Sequence, residues 1–135
     1  MRKFTPTEID LCKKIVEKER KEIQRGDWVA DELENICLVE KRFKTLLTIN
    51  EDGDCAQYGY LDDLNVVPLW QEHDCLEWLR EKGFEEFYVD RFCDGKVEAY
   101  GWHKDTFGKI DKQKGKAPLE ALLRAVLAVM KEAKP

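Results

Sequence analysis

The stretch from Gly83 to His103, GFEEFYVDRFCDGKVEAYGWH, constrains this chain more than any other. Asp94-Gly95 sits between two runs of aromatic and β-branched residues, the strongest short-range signal for a hairpin, because a tight turn needs positive φ. Taken as a two-residue loop, Asp94-Gly95 predicts the pairs Phe92 with Val97, Arg91 with Glu98, Asp90 with Ala99, Val89 with Tyr100 and Phe87 with Trp102. Strand side chains alternate between faces. That register therefore groups Phe87, Val89, Tyr100 and Trp102 on one face, and Tyr88, Phe92, Val97 and Ala99 on the other. Neither face is polar, and a lone two-stranded ribbon is marginal in water. The expectation is cover on both faces, or cover on one and a partner on the other.

Helical patterns flank the hairpin. Upstream, Gln71 to Lys82 places Cys75, Leu76 and Leu79 on one face with Trp78 at its margin, and Gly83 stands at the C′ position. Downstream, Ala117-Pro118 opens a helix over Leu119 to about Ala133, with Pro at the first turn. Leu119, Leu122, Leu123, Val126, Leu127, Val129 and Met130 form a wide apolar arc there. Ala121, Ala125 and Ala128 form a small-residue back face, where a homodimer contact stays open. The segment between hairpin and helix, Lys104 to Lys116, reads as a Gly- and Lys-rich connection.

The N-terminal half has its own signals. Thr5-Pro6-Thr7-Glu8 is a capping box with Pro at the first helical position. The helix it opens is expected to run to about Gln24, before Gly26. Ile9, Leu11, Cys12, Ile15, Val16 and Ile23 make its apolar face, with Glu19 in the middle. Glu19 is either a buried acid with a functional partner or a residue at the helix end reaching water, and the second is the commoner arrangement for an ionised acid. Strands are expected at Asp27 to Ala30, Ile36 to Glu40, Thr45 to Ile49 and Cys55 to Tyr60, forming an antiparallel meander. A second Asp-Gly turn at Asp52-Gly53 predicts Ile49 opposite Ala56, Thr48 opposite Gln57 and Leu47 opposite Tyr58. In the LDDLNVVP segment that follows, Pro68 is expected to interrupt any strand.

These elements define an α+β fold: antiparallel hairpins and a meander, with an N-terminal helix, a short middle helix and a C-terminal helix packed on sheet. At 135 residues a single domain is the natural expectation, with possible sub-units at 1–67 and 68–135. The composition, 43% hydrophobic and 38% charged, suits a folded and strongly solvated chain. A net charge of −5 argues against general polyanion binding, which draws its affinity from Lys and Arg on phosphates. Five scattered cysteines without a C-x-x-C pair suit reduced thiols in the cytoplasm better than a disulfide framework or zinc site. The opening MRKFTPTEIDL lacks the apolar core of a signal peptide, and no stretch is long and apolar enough to span a bilayer, so no membrane partner is expected.

Three segments, PLWQEHDCLEWLREKGF, the aromatic hairpin and KAPLEALLRAVLAVM, together resemble small uncharacterised phage and prophage proteins described as ABA sandwiches. The likeness lies mainly in residues 68–131. The N-terminal KFTPTEIDLCKKIVEKERKEIQRGDWV is similar to the openings of phage accessory proteins. The resemblance implies a bacterial host cell and no particular reaction.

Motifs with firm catalytic mechanics are missing: the chain has no Gly-rich phosphate loop, no H-E-x-x-H and no G-x-S-x-G. Asn50-Glu51-Asp52-Gly53-Asp54 departs from an EF-hand loop, because Gly59 stands where the bidentate Glu belongs. No cofactor or metal is expected. His73 reads as a solvated helix residue near Glu77, and His103 as an edge histidine at the hairpin exit. The expectation is therefore a non-enzymatic phage-type accessory protein that binds an unidentified protein or small molecule. Its candidate surface is Trp102, His103, Lys104 and Lys109. The alternative is a small enzyme or nucleotide-binding protein with a cleft near His103. Nucleic-acid binding through the Lys104–Lys116 segment ranks below both, given the net charge.

Overall fold

A computed structural model describes residues 4–19, 27–31, 36–39, 45–49, 55–60, 66–84, 86–102 and 109–132. The fold is α+β, with three helices and two antiparallel sheets among the described residues. The chain divides into two compact units, Met1–Leu69 and Trp70–Pro135.

In the first unit, α1 (Pro6–Lys18) starts at the expected capping box. Thr5 Oγ1 accepts from Glu8 N at 3.1 Å, and Glu8 Oε1 accepts from Thr5 N at 2.8 Å. Two backbone donors that no helical carbonyl reaches are thereby satisfied, and Glu8 is buried in doing so. Ile9, Leu11, Cys12 and Ile15 are buried along one face. The helix closes earlier than expected, with Glu19 as an extended, solvent-exposed C-cap. Glu17, Lys18 and Glu19 are all exposed, so burial no longer supports helix beyond Val16, and burial is what stabilises most helices in proteins. Of the two arrangements open to Glu19, the solvent-facing one is realised; Ile23 lies outside the described residues.

The strands expected between Asp27 and Tyr60 all form, as β1 (Trp28–Ala30), β2 (Ile36–Val39), β3 (Thr45–Ile49) and β4 (Cys55–Tyr60). With β5 (Val67–Leu69) they build a five-stranded sheet ordered β4-β3-β2-β1-β5. β5 corrects the expectation for Pro68, which pairs with Val29 inside a strand. The sheet tolerates it because β5 is an edge, where the missing N–H removes no ladder bond from a further strand. Val29, Cys37, Val39, Leu46 and Val66 form one buried cluster, and α1 packs against β5.

The β3–β4 register agrees with expectation only at its far end. Thr45 faces Tyr60 and Leu46 faces Gly59, but an irregularity after Leu46 puts Leu47 opposite Gln57, Thr48 opposite Ala56 and Ile49 opposite Cys55. Tyr58 is the extra residue of this bulge, which kinks the strand and resets the pairing by one. The Asp52-Gly53 turn itself lies outside the described residues.

The second unit begins with α2 (Glu72–Glu81), whose first turn is held by Asp74 Oδ2 accepting from Gln71 N at 2.8 Å. Its end matches the Schellman pattern: Phe84 N donates to Leu79 O and Gly83 N to Arg80 O, both at 3.0 Å, with Gly83 at φ 98°. Phe84 and Leu79 are both buried, which supplies the apolar contact that accompanies this cap. Trp70 meets Trp78 edge to face at 6.4 Å. A three-stranded sheet follows, ordered β6-β7-β8, with β6 (Glu86–Arg91), β7 (Val97–Trp102) and β8 (Lys109–Gly115). β8 is a correction, since the sequence suggested a connection there. A lysine-rich strand with no apolar alternation gives no strand signal, yet lysines are well suited to an exposed sheet edge.

Helix α3 (Pro118–Glu132) packs on α2 and across all three strands. Leu119, Leu122, Leu123 and Val126 are fully buried, and so are Ala121 and Ala125 of the small-residue face. Glu120 bends back to accept a hydrogen bond from Lys116 N and holds Arg124 at 3.8 Å. Two glycines of the sheet stand where a side chain would not fit. A Cβ on Gly115 would stand 2.8 Å from Ala121 N, and one on Gly101 would stand 2.5 Å from the Phe87 ring and 2.6 Å from Glu86 O. The Phe87 ring thus occupies the space a side chain at position 101 would need. Replacing Gly101 with Val should destabilise the protein by about 1–3 kcal/mol through overpacking, read as a lower urea midpoint with an unchanged slope.

Candidate functional site

The β6–β7 turn decides which side chains meet the solvent. Phe92 N donates to Lys96 O at 2.9 Å and Gly95 N donates to Phe92 O at 3.0 Å. Cys93, Asp94 and Gly95 therefore form a three-residue loop, the kind that ends in a left-handed glycine, and Gly95 has φ 85°. Asp94 favours it over the expected two-residue turn. Its Oδ1 accepts from Lys96 N at 3.0 Å, and its Oδ2 lies 3.7 Å from Lys96 Nζ.

The longer loop moves the register by one residue. Glu86 faces Trp102, Phe87 faces Gly101, Tyr88 faces Tyr100, Val89 faces Ala99, Asp90 faces Glu98 and Arg91 faces Val97. The expected pairs of Phe87 with Trp102 and Val89 with Tyr100 do not form, and the aromatic residues regroup. Val97, Ala99 and Gly101 are buried on the face that α3 covers. Tyr88, Tyr100 and Trp102 lie together on the opposite face. Among the described residues the exposed large hydrophobic side chains are Tyr88 (46% exposed), Phe92 (46%) and Trp102 (38%), all from this one hairpin.

The three rings of the open face touch one another. Tyr88 stacks on Tyr100 with centroids 5.5 Å apart, and Trp102 turns its edge to both, at 6.0 Å from Tyr88 and 5.8 Å from Tyr100. Such pairs contribute about 0.5–1.5 kcal/mol each beyond area burial, so the cluster is ordered although it faces water. Tyr100 Oη donates to Asp90 Oδ2 at 2.9 Å, a diagonal contact across the strands. That hydrogen bond, followed by burial and the neighbouring acids, raises the Tyr100 pKa above its usual 10.

Strand β8 completes the face. Lys114 lies opposite Glu98, and Lys109 opposite Trp102, with an irregularity between Ala99 and Gly101 that leaves Asp111 and Lys112 against Tyr100. Of the four candidate site residues, then, the structure brings Trp102 and Lys109 into one register position, while His103 and Lys104 lie outside the described residues. The candidate surface gains Tyr88 and Tyr100, which the expected register had set on opposite faces. The signal that could have found them is the Asp94 carboxylate, which favours the longer loop.

Other candidate chemistry is sparse. His73 is exposed beside Asp74, with 3.5 Å between Nε2 and Oδ1. No group of His, Cys, Asp or Glu among the described residues is arranged to hold a metal ion. None of the helices, over the described residues, is long and apolar enough to cross a membrane. Cys12, Cys37 and Cys75 are buried thiols outside any disulfide, whereas Cys93 is exposed at the hairpin tip. Burial, and after it the Asp31 carboxylate, pushes the Cys37 thiol up to about 11. No family model, curated protein or solved structure matches this chain.

Two outcomes follow from these environments. In Asp90→Asn the Tyr100 pKa should fall toward its ordinary value, seen as an earlier phenolate transition in an absorbance titration. The stabilising hydrogen bond is fully present below the ordinary phenol pKa and is lost as pH rises through the raised one, so the variant's deficit should shrink only at alkaline pH. With iodoacetamide at neutral pH, peptide mapping should find Cys93 labelled in the native protein, and Cys12, Cys37 and Cys75 labelled only after denaturation.

Proposed function

We propose that this chain is a non-enzymatic accessory protein of phage or prophage type that works by docking a partner on the open face of the β6-β7-β8 sheet. One observation carries the docking surface: three mutually touching aromatic rings, Tyr88, Tyr100 and Trp102, on a sheet face that α3 leaves uncovered. Exposed apolar surface gathered in one place costs free energy in water, and such patches mark interaction sites. Tyr and Trp are also the side chains that dominate binding energy at interfaces. Phe92 extends the patch toward the hairpin tip.

The phage-type attribution is supported by the likeness of the middle helix, aromatic hairpin and closing helix, and its setting is the bacterial cytoplasm. Reducing conditions there keep thiols such as Cys93 free. A partner held this way rests on side chains that contribute little to the core, so the surface can be removed without unfolding the chain. Tyr88→Ser combined with Trp102→Ser should keep the native circular dichroism spectrum and release partners captured by the wild-type protein from host extract. Lys14→Ala, on the exposed side of α1, should release none. Capture unaffected by the double substitution would refute the docking surface.

A further inference from the structure

The β6-β7-β8 sheet has two edges, and β6 is the one whose ladder is regular along its whole length. Phe92 N donates to Lys96 O, and in an antiparallel ladder every second residue repeats that orientation. Glu86, Tyr88 and Asp90 therefore aim their N–H and C=O groups at β7, whereas Phe87, Val89 and Arg91 aim theirs away from it. Among the described residues no strand pairs with that outer side. Natural sheets blunt such edges with Pro, Lys or a bulge. The other described edges follow that rule: β5 carries Pro68, β4 is interrupted at Tyr58, and β8 is irregular and bears the exposed Lys114. β6 has no Pro, Gly or Lys between Glu86 and Arg91. Its Phe87 and Val89 lie opposite the buried Gly101 and Ala99 yet are only half-buried themselves, since α3 lies chiefly over β8 and β7.

We infer that the β6 edge takes a second copy of this chain, the two β6 strands pairing antiparallel about a two-fold axis at Val89 to join both three-stranded sheets into one. The inference goes beyond the docking face proposed above and uses a different surface. A two-fold axis normal to the sheet keeps like faces on one side, so a residue can oppose only residues of its own face in the other copy. Centred on Val89, the register sets Val89 against Val89, Phe87 against Arg91, Tyr88 against Asp90 and Glu86 against Phe92. The outward groups of Phe87, Val89 and Arg91 then exchange hydrogen bonds in both directions. No like charges meet, and each guanidinium stands across from a ring. The two neighbouring registers are worse: centred on Tyr88 the strands set Glu86 against Asp90 twice, and centred on Asp90 they set that acid against itself. Carboxylates directly opposite each other repel.

The test is sedimentation equilibrium over a concentration series. Wild type should move from the mass of one chain toward twice that mass as concentration rises. Val89→Lys sets two ammonium groups face to face on the axis and should weaken association by about tenfold or more. Val89→Thr keeps a β-branched residue there and should change it by less than about threefold. Trp102→Ser alters the open face from the central strand and should leave association as in wild type. A second measurement needs no variant. Amide exchange on wild type should find Tyr88 and Asp90, bonded to β7, protected at every concentration, and Phe87, Val89 and Arg91 protected only where the dimer forms. In a Cys93→Ser background, Val89→Cys should cross-link on mild oxidation and Tyr88→Cys should not, because only position 89 meets its own copy within disulfide reach.

A wild-type mass that stays at one chain throughout, or outward amides that exchange freely at every concentration, would overturn the inference. So would a dimer that survives Val89→Lys, one that Trp102→Ser dissolves and that therefore meets through the rings, or cross-linking at position 88 in preference to 89. The docking face is judged apart from this: if the chain is monomeric while Tyr88→Ser/Trp102→Ser still releases captured partners, the edge pairing falls and the docking face stands.

Discussion

Two hydrogen bonds at the base of the β6–β7 turn, Phe92 N to Lys96 O and Gly95 N to Phe92 O, set the parity of the whole Trp70–Pro135 unit. In a strand, residues one apart point to opposite faces, so lengthening the loop by one residue turns all of β7 over relative to β6. With three residues in the loop, Val97, Ala99 and Gly101 face α3, and Tyr100 and Trp102 join Tyr88 outside. With two, a strand presenting Val97 and Ala99 to the helix would leave Phe87 and Val89 in solvent. The Asp94 carboxylate, bonded to Lys96 N, holds the longer form.

Helix α3 supplies the other half of this logic. Its buried leucines and alanines cover one face of the sheet so closely that glycine stands beside Ala121 at position 115, while Gly101 makes room for the Phe87 ring of the neighbouring strand. A sheet pinned this firmly on one side can display large aromatic residues on the other without losing register. The mutual contacts of Tyr88, Tyr100 and Trp102, with the bond from Tyr100 to Asp90, keep that display in a fixed arrangement. Rigid aromatic side chains lose little conformational entropy on binding.

Where local physics governed, the sequence was legible. Thr5-Pro6-Thr7-Glu8, Gly83 and Ala117-Pro118 marked helix ends correctly because caps depend on residues a turn apart. The meander strands followed from alternation. The misses came where a distant partner or a single hydrogen bond decided the outcome. β8 has no apolar alternation to announce it, and Pro68 is permitted in β5 because that strand lies at a sheet edge. The β6–β7 register turned on one carboxylate, and with it the composition of the candidate surface. Trp102 was named from its position at the hairpin exit, whereas Tyr88 and Tyr100 became its neighbours only through the longer turn. His103 and Lys104 lie outside the described residues.

The lysine-bearing β8 has one more consequence. A protein that displays aromatic rings on a flat sheet is at risk of stacking into fibres, because an open edge can recruit the next chain strand by strand. Of the two edges of this sheet, β6 and β8, the second is irregular opposite Tyr100 and bears the exposed Lys114. The exposed Lys114 charge and the local irregularity both disfavour a further strand on β8. The two borders of this sheet are thus unlike in character: the rings gather on its broad side, while its β8 margin resists growth strand by strand.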